Sequence, residues 1–210
     1  MKIYRLMLKL PEGILQEQLK ECHSVLDMGC SRSSRLQHID NKKLFKIGVD
    51  CYEKYIKESK LKNIHDRYLK CNFLEYDFSE MYKKIDAVIA LDVVEHLSKK
   101  DTLTLIKIME KIAKKLVLVG THNGFVPQDK AKDGNVLQKH VSGWSVQDFT
   151  TRGYKVHGTN GLFCLRDKQN YNKIKYKPKI LFDQISNLTN LYVYNRPEKA
   201  AYLMAIKRFN

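Results

Sequence analysis

No apolar stretch in this 210-residue chain approaches the ~20 residues that a bilayer-spanning helix needs, so no membrane span is expected. The N-terminus, Met1-Lys2-Ile3-Tyr4-Arg5-Leu6, is basic. It lacks both the apolar region and the small-residue cleavage site of a secretion signal, and reads as mature cytosolic sequence. The five cysteines (Cys22, Cys30, Cys51, Cys71 and Cys164) form no Cys-x-x-Cys pair. Their odd number argues against a disulfide framework and points to a reducing, cytoplasmic compartment. No internal repeat, low-complexity tract or linker interrupts the chain. With 43% hydrophobic residues, 1–210 fits one domain with its own core.

Acidic residues are also scarce: 23 against 38 lysines and arginines, for a net charge of +15. Such a balance suits an anionic partner, whether RNA, anionic lipid or a phosphorylated metabolite. The lysines are scattered, however, and no arginine-rich block stands out, so a solvated basic surface is the plainer reading. Lys99-Lys100, Lys114-Lys115 and Lys173 to Lys179 are the densest clusters.

What is present is an alternation of apolar runs and amphipathic segments. A lead-in helix is expected over 12–22, with Ile14, Leu15, Leu19 and Cys22 at helical spacing. Strands follow at Ser24–Met28, Phe45–Asp50, Arg67–Asn72 and Ile85–Leu91, with a short helix carrying Leu36 and Ile39 after the first and a helical segment at Tyr52–Ser59 after the second. The run at 85–91 is apolar nearly throughout, as in a strand buried on both faces of a parallel sheet. Ser98 and Asp101 stand at N-cap and N3 spacing and open a helix whose apolar face runs from Leu105 to Leu116. A strand at Leu116–Gly120, a helix capped by Ser145 and Asp148, a strand at Tyr154–Gly158, a helix near Ile180–Leu191 and a strand at Ala200–Arg208 complete the reading. Strand–helix alternation through residue 120 specifies an α/β fold with right-handed crossovers.

Ligands of open α/β sheets bind at the carboxyl ends of the strands. Here those ends carry a consistent set. The first gives Asp27, Gly29, Cys30 and Ser31, and the second gives Asp50, Cys51 and Tyr52, with Asp50 lying 23 residues after Asp27. The third gives Asn72 and Phe73, and the fourth Leu91, Asp92, Val93 and His96. An acid after strand 2 can accept from both hydroxyls of a ribose, and an amide can both donate to and accept from an adenine edge. Tyr52 and Phe73 offer flat apolar surface. A pyrophosphate would need a Gly-x-Gly-x-x-Gly turn, and only Gly29 is present.

These strand ends resemble class I S-adenosylmethionine-dependent methyltransferases of the small-molecule (type 11-like) branch. Val25-Leu26-Asp27-Met28-Gly29-Cys30 resembles the first motif, Ile47-Gly48-Val49-Asp50 the acidic second, and Asp86 to Leu97, with its Glu95-His96-Leu97, the strand 4 motif. The likeness covers about residues 20–122. It departs where Ser31 and Ser33 replace glycines and Asn72 replaces an aspartate. The resemblance implies a Rossmann-like, doubly wound, mostly parallel seven-stranded sheet with an antiparallel last strand. It also implies S-adenosyl-L-methionine as cofactor, and methyl transfer to an O or N atom of a small-molecule acceptor by in-line displacement.

Displacement needs a base only when the nucleophile starts protonated. His122, after strand 5, and His140, in the long connection from Thr121 to Gly143, are the expected proton acceptors. His96 reads as support for the cofactor loop, and Trp144, the only tryptophan, as a core anchor. Asp92 and Glu95 could share a metal, but spacing offers no third ligand, so no metal is expected. Cys30, Cys51 and Cys71 end three neighbouring strands and read as small apolar turn residues. Segments 121–144 and 159–198 are expected to shape the acceptor pocket. Two alternatives stay open: an RNA methyltransferase, suggested by the basic charge but less favoured because Asp92-Val93-Val94-Glu95 replaces an Asn/Asp-Pro-Pro-Tyr tetrad, and a non-catalytic binding protein, which gains weight because no base is obvious. Oligomeric state is left open.

Overall fold

The computed structural model describes residues 9–129, 134–167 and 170–209. The basic N-terminus, Met1 to Leu6, lies outside them. The apolar runs become β1 (Ser24–Met28), β2 (Phe45–Asp50), β3 (Arg67–Lys70), β4 (Ile85–Leu91), β5 (Ala113–His122), β6 (Lys155–Leu162) and β9 (Ala200–Arg208). They form one seven-stranded sheet in the order β3-β2-β1-β4-β5-β9-β6. Pairs from β3 to β5 are parallel, while β9 runs antiparallel to both β5 and β6. A separate two-stranded ribbon pairs β7 (Arg166–Asp167) with β8 (Asn170–Ile174).

The helices are α1 (Pro11–Gln18), α2 (Glu53–Leu61), α3 (Lys99–Ile112), α4 (Val146–Thr150) and α5 (Lys179–Val193). Ser98 caps α3 by accepting from the Asp101 N–H, and Ser145 with Asp148 completes a reciprocal capping box on α4. One expectation is corrected here. Ala113 and Leu116 belong to β5 and not to the helix before it, because α3 ends at Ile112 and the chain enters the strand without a loop.

Both sheet faces are covered, and the strand alternation shows it. On β4, Val88 and Ala90 pack with Leu105, Ile106 and Met109 of α3 and with Trp144 and Phe149. Ala87 and Ile89 pack on the other side with Ile14 and Leu15 of α1 and with Leu36. Trp144 is the core anchor expected, at 1% exposure, with its indole N–H donating to the Val94 carbonyl and Ser142 hydroxyl.

Strand order reverses between β1 and β4, which lie side by side with Asp27 opposite Ile89. The crevice outside their carboxyl ends is where this architecture leaves room for a ligand.

Candidate active site

At that crevice lies a cavity of about 720 Å³. All thirteen residues expected to hold a cofactor line it: Asp27, Gly29, Cys30, Ser31, Asp50, Cys51, Tyr52, Asn72, Phe73, Leu91, Asp92, Val93 and His96. His122 and His140 line it as well. The loop after β5 adds Gln128 and residues 135–141. Of 159–198, Asn160 is the one described residue on the wall of this cavity.

The first turn is built for close approach. Gly29 has φ +73°, and a Cβ there would stand 2.6 Å from a Val93 methyl. Glycine is required both by conformation and by space. Ser31 has φ +49°, so the serine standing where glycine is usual does adopt the left-handed region, at a cost of ~1–2 kcal/mol. The Asp50 carboxylate holds this turn by accepting the Ser31 N–H at 2.9 Å and the Tyr52 N–H at 2.8 Å. Burial pushes Asp50 up from its ordinary value, against the pull of those two N–H groups. Asp27 is deeper. Its Oδ2 accepts from the Ser34 hydroxyl and lies 3.0 Å from His65 Nε2, so it orders the loop from behind. His65 follows α2, and nothing in its sequence surroundings marks it.

At the third strand end the Asn72 Oδ1 accepts from the Leu74 N–H at 3.1 Å, which aims the amide and leaves its NH₂ for a ligand edge. The Tyr52 ring meets Tyr55 edge-on at 4.7 Å between centroids.

The other half of the cavity is a polar cluster around the tip of β4. Asp92, at φ +57°, pairs with Arg35 at 3.3 Å, and Arg35 pairs in turn with Glu12 at 2.8 Å. Sequence reasoning missed Arg35, which a short 3₁₀ turn (Arg35–His38) brings across from Asp92. Glu95 is buried, and its Oε2 accepts from the Thr121 hydroxyl at 2.9 Å. Burial pushes Glu95 well above the usual carboxylate range, with Asp92 adding to the effect. The absence of a third metal ligand is corrected by the fold. Asp92, Glu95 and His122 each offer a ligand atom within 4.8 Å of one another, because β5 ends beside β4. That set could hold a divalent cation, yet Arg35 already supplies a positive charge to Asp92. No cysteine joins a ligand cluster among the described residues.

Three histidines face this cluster. The His96 ring lies 4.7 Å from that of His140, and His122 lies 5.8 Å from His140. His140 Nδ1 stands 2.6 Å from the Val126 carbonyl and His96 Nδ1 stands 3.1 Å from the Lys139 carbonyl. A carbonyl only accepts, so both Nδ1 atoms carry the proton and both Nε2 atoms are basic. Burial lowers all three, His96 to about 4. At neutral pH they are therefore uncharged proton acceptors.

No protein-family model matches the sequence, and a search of curated proteins finds no match. Solved structures do match along the whole chain. A SAM-dependent methyltransferase from Archaeoglobus fulgidus is 18% identical, with a TM-score of 0.58 over 99% of this chain and 98% of that one. A magnesium protoporphyrin IX methyltransferase from Synechocystis PCC 6803, with SAM bound, is 13% identical, with a TM-score of 0.57 over 100% and 82% of the two chains. A small RNA methyltransferase is 16% identical, with a TM-score of 0.56 over 96% of this chain and 25% of that one.

Proposed function

We propose, for a chain that carries the class I S-adenosylmethionine-dependent methyltransferase fold, that it binds S-adenosylmethionine and methylates an oxygen or nitrogen of a small molecule. The observation that carries this reading is one cavity whose wall holds all the expected cofactor residues together with His122 and His140. The cradle suits the cofactor. Gly29 leaves backbone space that a Cβ would fill, and Asp50 offers the acid after β2. The turn lacks the further glycines a pyrophosphate requires, and this cofactor has no pyrophosphate. The five unpaired thiols support a reducing, cytoplasmic setting.

When bound, the cofactor supplies an electrophilic methyl group on a sulfonium. The chain's part is positioning and proton transfer. Gly29 and Ser31 bring the backbone close, Asp50 holds the ribose side, and Asn72 with Phe73 and Tyr52 holds the ring. At the other end, His140 is fixed by the Val126 carbonyl so that Nε2 can take the acceptor's proton. His122 stands next to it as the second acceptor. Alignment of nucleophile and methyl supplies the remaining rate.

Two facts favour a second reading, transfer to RNA: the net charge of +15 and the fold likeness to a small RNA methyltransferase. Transfer of a labelled methyl group to small-molecule extract fractions and to purified RNA, assayed side by side, separates the two. Label in small molecules that falls in His140→Ala is the expected result. Label confined to RNA would replace this reading with the second. Cofactor binding without label in any fraction would make the protein a binding module.

A further inference from the structure

Helix α5 turns its apolar residues outward. Ile180, Leu181, Ile185, Leu188, Leu191 and Tyr192 fall within one arc of the helical wheel and are 81, 52, 36, 61, 54 and 42% exposed. The buried face carries Ser186, Asn190 and Val193. Hydrogen bonds fix that rotation. Asn190 Oδ1 accepts from the Gly161 N–H at 2.8 Å and from the Thr159 hydroxyl at 3.3 Å. The Thr189 hydroxyl accepts from the Leu162 N–H at 3.0 Å, and the Ser186 hydroxyl accepts from Arg166 at 2.9 Å. Two of these donors are backbone groups in the stretch where β6 breaks register with β9, between Thr159 and Leu162. Turning α5 to hide its apolar face would strand those groups, so the face stays a surface.

Cations frame it. Exposed Lys173, Lys175, Lys177 and Lys179 lead into the helix. At its far end the Arg196 guanidinium lies 4.5 Å from the centroid of the Tyr192 ring, and Lys199 Nζ lies 3.4 Å from the Tyr192 hydroxyl. Residues 166–199 hold eight basic side chains against three acidic ones.

We propose that this face docks on an anionic lipid bilayer. The apolar arc enters the boundary between headgroups and acyl chains, and the flanking lysines and arginine reach the lipid phosphates. A second copy is a poor occupant, because antiparallel α5 helices would set the lysines of one against Arg196 and Lys199 of the other. The proposal does not depend on methyl transfer, and its test reads binding alone.

Flotation is measured with vesicles of equal parts phosphatidylcholine and phosphatidylglycerol, and with phosphatidylcholine alone. The protein is expected to float with the mixed vesicles and at least tenfold less with the neutral ones. Leu188→Glu is expected to lose at least tenfold in binding. Leu61→Glu makes the same charge change on α2, at a side chain 84% exposed, and is expected to keep most of it. Circular dichroism checks that both variants are folded. Failure of the wild type to float with mixed vesicles overturns the proposal. Equal losses in the two variants also overturn it, since net charge alone would then explain binding. Light scattering that shows a dimer split by Leu188→Glu would put a second copy on the face instead.

Discussion

At the scale of single residues, chemistry in the cavity is set by what burial does to titrating groups. His122 and His140 are held below the ordinary histidine value by desolvation, while Asp92 pulls the other way. A base must be uncharged to act, so the rate is expected to stay flat down to pH values below ~6.5 and to fall only on further acidification. His140→Ala should lower kcat by ~10²-fold or more for a hydroxyl acceptor. For an acceptor that is already deprotonated it should have little effect. A pH–rate profile of both proteins checks this. Arg35 gives a second expectation. Its guanidinium already pairs with Asp92 at 3.3 Å, so the cluster of Asp92, Glu95 and His122 has a cation without a metal. Turnover after exhaustive chelation should be unchanged, and restoration by one divalent ion after a loss would make the cluster a metal centre.

Elements were legible in the sequence wherever burial was two-sided or a cap was explicit. β1, β2, β4 and β9 match their expected limits, and in β1, β2 and β4 the apolar run ends abruptly at a turn. The caps at Ser98 and Ser145 were readable from side-chain spacing. β6 was not legible to its end. It continues past Gly158 to Leu162 through Gly161, and α5 supplies the missing partners there. Asn190 is the element-scale test. Asn190→Ala removes the acceptor of the buried Gly161 N–H, and should destabilise the protein by ~1–3 kcal/mol in urea unfolding. Asn187→Ala, one turn earlier and half-buried, is the comparison and should cost less. The site divides in the same way. Residues at strand ends follow from the strands themselves. Arg35 and Tyr202, whose guanidinium and ring meet beside His122 on the cavity wall, and His65, which backs Asp27, arrive only through tertiary packing, and no local pattern announces that.

For the whole molecule, the same burial that tunes the cavity weakens the fold. Glu95 is raised, so between the ordinary carboxylate range and its raised value the unfolded chain binds fewer protons than the folded one. Stability must then fall as pH rises through that window. Glu95→Gln keeps an acceptor for Thr121, removes the titration, and is expected to gain stability at neutral pH and nothing in acid. Thermal unfolding of both proteins across pH reads the difference directly.

Fold, turn geometry and cavity all support the proposal that this crevice binds S-adenosylmethionine. Isothermal titration calorimetry with S-adenosylmethionine and its demethylated product tests it most directly. One saturable site per chain is expected, weakened at least tenfold in Asp50→Ala, a loss of about 1.4 kcal/mol or more. Absence of a binding signal for both ligands with the folded wild type would contradict it.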